Sequence, residues 1–195
     1  MKLSEVASVR SGLVLSRKQS REPSDIQYPL LTLRAINPGG YIELSELDIF
    51  DAVERLGSEY LTHAGDVVIR LTAPYTAVLI EESTAGMVVS SNFVIIRADS
   101  RQVLPEYLYW LINTPQVKRD IYENTSSNML GAIKAKYFSD FELAPIPLQQ
   151  QEFLADMNLL AIRESRLIRE LAAEKEKFHA LLIERAYNEM RREVI

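Results

Sequence analysis

Apolar and polar positions change their rhythm near residue 148. Before it, short β-branched-rich runs at residues 30–36, 47–50, 66–71, 77–80, 87–89 and 92–97 are bounded by Pro, Gly, Asn or Ser. Runs of that length and composition predict strands. Pro38-Gly39-Gly40 marks a turn, and Gly65-Asp66 opens a strand after a short helical stretch. Pro105 and Pro115 each stand where a helix begins, which predicts helices over 105–113 and 115–123. Strands followed by helices give an α+β domain over residues 1–148.

From 149 to 192 there is neither Pro nor Gly, and Leu, Ala, Glu, Arg and Lys dominate. This predicts one uninterrupted helix in a second region, 149–195. At 1.5 Å per residue such a helix reaches roughly 65 Å, whereas a domain of about 150 residues is only some 30–40 Å across. Phe153, Met157, Leu160, Leu167, Leu171, Phe178 and Leu181 form a heptad-like seam, and Leu154, Ala161, Ile168, Leu182 and Ala186 a second stripe beside it. Glu164, Glu174 and Arg185 interrupt the seam. A helix so long, with so wide an apolar face, calls for a partner helix, and antiparallel pairing lets the interrupting charges meet charges on the partner.

The chain has 195 residues with a net charge of −5 and no cysteine. Disulfides, cysteine nucleophiles and zinc ribbons are thereby excluded, and a reducing cytoplasm is compatible. The opening residues lack the apolar run of a signal peptide, and no run approaches a membrane span, so a soluble, cytoplasmic protein is expected. Of the 22 basic and 27 acidic residues, 8 and 9 fall in 149–195, leaving 14 and 18 in 1–148. Neither part works by bulk positive charge, so any contact with nucleic acid is local.

Catalytic chemistry finds little support. The two histidines, His63 and His179, are far apart, and no glycine-rich phosphate cradle or nucleophile elbow occurs. Thr72-Ala73-Pro74-Tyr75 faintly matches the Asn/Asp-Pro-Pro-Tyr loop of amino-methyltransferases, but Thr stands where the amine acceptor belongs and no methyl-donor loop accompanies it. No catalytic residue, metal ligand or cofactor is assigned.

Several features then line up in order. A stretch ending in Ser11-Gly12 is followed by Tyr28-Pro29-Leu30-Leu31, Asn37, Gly39 and Gly40. Next come Gly65-Asp66-Val67-Val68-Ile69-Arg70, Pro105-Glu106-Tyr107-Leu108, the polar stretch 126–136, and Pro145-Ile146-Pro147-Leu148 before the long helix. This order resembles the specificity subunit of type I restriction–modification systems. Arg70-Leu71-Thr72-Ala73 lacks a glycine common in that family, and Leu148-Gln149-Gln150-Gln151 alters its usual Pro-Leu-x-Glu-Gln helix opening. The resemblance implies a target recognition domain and one spacer helix, half of a full subunit. It further implies a homodimer that reads a split sequence in double-stranded DNA, docks methyltransferase (modification) subunits, and reaches a restriction subunit through that complex. A truncated paralogue that binds partners through its helix without reading DNA is the alternative.

Candidate DNA contacts follow from residue type. Arg17, Lys18 and Arg21 form the densest basic loop, suited to phosphate. Arg34 and Asn37 bracket a strand end, where Arg suits guanine and Asn suits adenine. Arg70, Thr72 and Tyr75 follow the Gly65-Asp66 strand; Ser91, Asn92, Ser127, Asn128, Lys134 and Lys136 lie in polar loops. Tyr107, Tyr109, Trp110 and Phe141 sit on apolar faces and are expected in the core, not as stacking platforms.

Overall fold

The computed structural model describes residues 1–125, 133–144 and 146–193. The chain divides into two units, Met1–Asp156 and Met157–Ile195.

Among the described residues the first unit holds seven strands: β1 (Ala7–Ser11), β2 (Gln27–Leu31), β3 (Asp48–Asp51), β4 (Asp66–Arg70), β5 (Ala77–Leu79), β6 (Val88–Val89) and β7 (Phe93–Ala98). Four of them form an antiparallel sheet in the order β1-β7-β4-β5, and three form a second sheet in the order β3-β2-β6, with β6 parallel to β2. Between the sheets lies a core of Val68, Val78, Phe93 and Ile95 from the first, Leu31 and Val89 from the second, and Ala35, Ile36, Ile80 and Met87 from the connections. A smaller cluster under the second sheet gathers Leu13, Phe50, Ala52 and Val88. Helices α1 (Pro105–Asn113), α2 (Pro115–Thr125) and α3 (Ala135–Ser139) complete the globular part, with α1 packed on β4 and β5 and α3 on β1.

Local chemistry explains the details. Gly65 adopts φ +84°, a conformation glycine takes without strain, and delivers Asp66 to the first position of β4. At the sheet edge, Asn113 accepts from the Ala77 amide (3.1 Å) and donates to the Ala77 carbonyl (2.9 Å), so the end of α1 satisfies the edge strand β5. Tyr109 donates to the Gly40 carbonyl (2.7 Å), tying α1 to the Pro38-Gly39-Gly40 turn.

The strand expected over 30–36 is displaced: β2 ends at Leu31, and 32–36 form a turn. Thr32 Oγ1 donates to the Glu46 carbonyl (2.9 Å) and accepts from the Ala35 amide (3.1 Å), which bends the chain while Ala35 and Ile36 remain buried. On β2, β6 pairs with Leu30 and Leu31, beyond Pro29, whose missing N–H would otherwise break the ladder. Strand β1 and the short helix α3 were not expected. The other elements lie within a few residues of their expected bounds.

Helix α4 runs over Leu148–Glu193. In the first unit its first turns are held by Gln151, which is buried. Its Oε1 accepts from the Leu104 amide (2.8 Å), and its Nε2 donates to the carbonyls of Ile146 (2.9 Å) and Gln102 (3.3 Å). Phe153, Met157, Leu160, Leu167, Leu171, Phe178 and Leu181 are all exposed, between 55% and 66%. Among the described residues nothing covers the seam.

Candidate nucleic-acid interface

The candidate interface grows from one end of the four-stranded sheet. Register places Ser11 and Ile69 opposite Val94, Arg70 opposite Phe93, and Ile69 opposite Ala77, so the ends of β1 and β4 meet the starts of β7 and β5. Backbone hydrogen bonds lock the loops beyond them. The Leu71 amide donates to the Asn92 carbonyl (3.0 Å), Ile133 to Leu71 (2.9 Å), Ser91 to Leu13 (2.9 Å) and Gly12 to Phe93 (3.0 Å). A Cβ on Gly12 would run into the carbonyls of Val89 and Ser90, so this close approach needs glycine.

This framework brings together Arg70, Thr72, Ser91 and Asn92, with Lys134 adjoining through Ile133. Ser91, Asn92, Lys134 and Lys136 are exposed. Neither lysine has an ion pair within 4 Å among the described residues. They share a concavity with Asn124, Tyr137 and Asp140. Asn124 lines this concavity without having been singled out from sequence, where its signal was only its place in the polar run Glu123-Asn124-Thr125. Arg70 is half-buried: Nη1 donates to the Leu33 carbonyl at 3.5 Å, and Nε is buried with no partner among the described residues. Ser127 and Asn128 lie outside the described residues.

Other expected contacts are engaged elsewhere. Tyr75, expected in the reading loop, is 4% exposed, and its hydroxyl lies 3.0 Å from Thr125 Oγ1. Its place, at φ 53° after Pro74, is in the packing between that loop and the end of α2, and the match to a methyltransferase loop ends there. Asn37, expected to read adenine, uses both ends of its amide in its own turn. Oδ1 accepts from the Gly39 amide (2.8 Å) and Nδ2 donates to Glu43 (2.9 Å), because a short amide side chain closes turns of this kind. Arg34 is exposed but sits between Glu46 (3.2 Å) and Asp48. Lys18 pairs with Glu54, which raises the lysine pKa and lowers that of the carboxyl. Asp48 begins β3 and Glu54 lies past its end, so Arg34 and the Arg17–Arg21 loop flank opposite ends of that strand. Arg17 and Arg21 are exposed, with no ion pair among the described residues.

Tyr107 and Tyr109 are buried and Trp110 and Phe141 half-buried, in line with packing roles. Among the described residues no three His, Asp or Glu side chains converge as metal ligands. No described helix is long and apolar enough to cross a membrane.

No family model and no curated protein matches the chain. Twelve solved chains resemble it. The HsdS subunit from Thermoanaerobacter tengcongensis matches with a TM-score of 0.61 and 22% identity, over 93% of this chain and 46% of that one. A chain from a structural study of complex assembly and conformational transition in the type I restriction–modification system matches with the same TM-score and identity, over 97% and 48%. The S subunit of the type I system of M. genitalium follows at TM-score 0.54 and 13% identity, over 89% and 41%. The chain therefore spans about half the length of the structures it matches, and at these identities the likeness is one of architecture: it has the fold of one half of a type I restriction–modification specificity subunit.

Proposed function

We propose that this chain is a non-catalytic, cytoplasmic DNA-recognition chain with one recognition unit, working in a type I restriction–modification complex. The observation that carries the reading is the shared architecture: the fold matches one recognition unit and its following helix in the HsdS structure, and the apolar seam of that helix is bare among the described residues. Residues 1–148 act as the target recognition domain and 149–195 as spacer and dimerisation helix. Two copies restore two recognition domains. Methyltransferase subunits dock on that pair, bringing the methyl donor and the chemistry, and the restriction subunit joins through them.

DNA lies against the loops at the end of the four-stranded sheet. Arg70, Thr72, Ser91 and Asn92 face base edges, and Lys134 and Lys136 face phosphate; Ser127 and Asn128, outside the described residues, precede them in sequence. Arg17 and Arg21 add phosphate contacts. Arg34 and Lys18 join only by leaving their carboxylates. Two linked half-site readings gain affinity through effective concentration, and two-fold symmetry mirrors itself in the target.

A random-oligonucleotide selection with the chain and its methyltransferase subunit tests this. Enrichment of a split palindrome supports the reading, and asymmetric half-sites overturn the homodimer. The second reading, a partner-binding module that does not read DNA, is favoured by the neutralised Arg34 and Lys18; a selection without enrichment despite a stable complex would establish it.

A further inference from the structure

We infer that α4 pairs with α4 of a second copy in a single antiparallel register, chosen by a ladder of alternating charge along one flank of the seam. The inference rests on the helix-pairing part of the proposed function and not on DNA reading.

The seam runs through 153, 157, 160, 164, 167, 171, 174, 178, 181, 185 and 188, alternating steps of four and three. One flank, at 154, 161, 168, 175, 182 and 189, is mostly apolar: Leu, Ala, Ile, Lys, Leu, Glu. The other, at seven-residue intervals, is Asp156, Arg163, Glu170, Lys177, Glu184 and Arg191. All six are exposed, and their signs alternate without a break. Reversing the direction of an identical helix brings each flank against itself across the seam, so this flank reads its own sequence backwards.

Charge then selects the register. With the two-fold axis near Ala173, Asp156 faces Arg191 of the second copy, Arg163 faces Glu184 and Glu170 faces Lys177. Every rung is attractive, and symmetry makes each occur twice. Sliding by one heptad in one direction sets Lys177 against Lys177, Glu170 against Glu184 and Arg163 against Arg191. Sliding the other way sets Glu170 against Glu170, Arg163 against Lys177 and Asp156 against Glu184. Every rung then repels, which is discrimination built from repulsion as well as attraction. A parallel, in-register pair fails differently, since it would stack Glu164, Glu174 and Arg185 on their own copies inside the seam.

The chosen register also accommodates the charges within the seam. Leu167 faces Phe178, while Glu164, Glu174 and Arg185 face Leu181, Leu171 and Leu160. Their aliphatic stems can cover the leucines as the charged ends reach water. In the single helix Glu170 is bound by Arg166 (2.7 Å) and Lys177 by Glu174 (2.6 Å). These are exposed pairs within one helix, weak enough to be shared with a partner.

The test uses the full chain and measures association by sedimentation at low salt. Glu170→Lys and Lys177→Glu each reverse two rungs per dimer, and each alone should weaken the dimer about tenfold. Mixed in equal amounts they should pair with each other as tightly as the wild type. The lysine introduced in one then faces the glutamate introduced in the other, and the unaltered Lys177 and Glu170 also meet. Because the chain has no cysteine, Glu170→Cys mixed with Lys177→Cys should form a disulfide between the two variants, while Lys177→Cys alone should not. A tighter dimer with Glu170→Lys, self-linking of Lys177→Cys, or a wild-type chain that stays monomeric overturns the register. None of these readouts involves DNA. A failed oligonucleotide selection with the register intact would sink the DNA reading alone, and the converse would sink the register alone.

Discussion

Asp66 lies fully buried opposite Arg97 on the neighbouring strand and accepts from both its Nε (2.7 Å) and its Nη2 (2.8 Å). The backbone amide of His63 also donates to the carboxylate (2.8 Å), so burial and full hydrogen bonding go together. The pairing raises the Arg97 pKa. Arg10, on the strand beyond, has its pKa lowered, first by burial and then by Arg97, and its Nη2 has no partner among the described residues. Asp66 is thus the counter-charge in a neighbourhood of two arginines.

Asp66→Asn removes that counter-charge while keeping the shape. Breaking one side of such a pair should destabilise the domain by about 3 kcal/mol, read from urea unfolding. Replacing Asp66 and Arg97 together by apolar residues of similar volume should cost less than Asp66→Asn alone. If the single change is within about 0.5 kcal/mol of wild type, the pair does not hold this sheet.

Gln151 gives a second test. Gln151→Ala strands the Leu104 amide and two carbonyls, at about 1–2 kcal/mol, and should speed hydrogen exchange at the Leu104 amide. Gln150, one residue earlier and exposed, is the control, and Gln150→Ala should change neither. Equal effects from the two variants would show that burial of Gln151 is not what fixes the start of α4.

The DNA surface predicts a graded response to salt. Lys134→Ala with Lys136→Ala should lower the salt slope of DNA binding by about 2, close to one for each phosphate no longer neutralised. Arg17→Ala with Lys18→Ala should lower it by about 1, because Glu54 already holds Lys18. Asn92→Ala should instead relax sequence choice at one position and leave the slope alone. Unchanged slopes in both lysine-containing variants would move the interface elsewhere.

The differing fates of the expected elements have a physical pattern. Helix α1 was legible to the residue because Pro105 fixes its start and Tyr107, Leu108 and Ile112 its buried face. Strand β4 was legible because Gly65-Asp66 precedes three apolar, buried positions, Val67, Val68 and Ile69. Strand β1, Ala-Ser-Val-Arg-Ser, escaped because an edge strand half in water carries no apolar run, and α3 is too short to show a period. At the site, sequence supplied the residue types but not their commitments. Whether Asn37 reads a base or closes a turn depends on Gly39 and Glu43, and whether Arg34 is free depends on Glu46 and Asp48 across the second sheet. The Gln of the helix-opening motif was visible as Gln151, whereas its two distant partners, Gln102 and Leu104, could be found only in three dimensions.

Tyr109 closes the case for the turn at Gly40. Its hydroxyl is buried on the Gly40 carbonyl, and burial, helped by the nearby Glu81, pushes its pKa above the ordinary value of 10.0. The folded state therefore holds the phenolic proton more tightly than the unfolded chain does. The associated stability is fully present below pH 10 and is lost as pH rises from there toward the folded value. Tyr109→Phe should cost about 1 kcal/mol at neutral pH, through the lost hydrogen bond, and should flatten the fall in stability above pH 10. Gly40→Ala acts on the same contact from the other side: φ is +89°, and a Cβ would stand 2.6 Å from the Tyr109 oxygen. It should therefore destabilise the domain by at least about 1 kcal/mol, and by less in a Tyr109→Phe background, where that oxygen is gone. Alkaline unfolding curves for the two single variants and the double variant check this, and strict additivity of the two changes would deny that they share one contact.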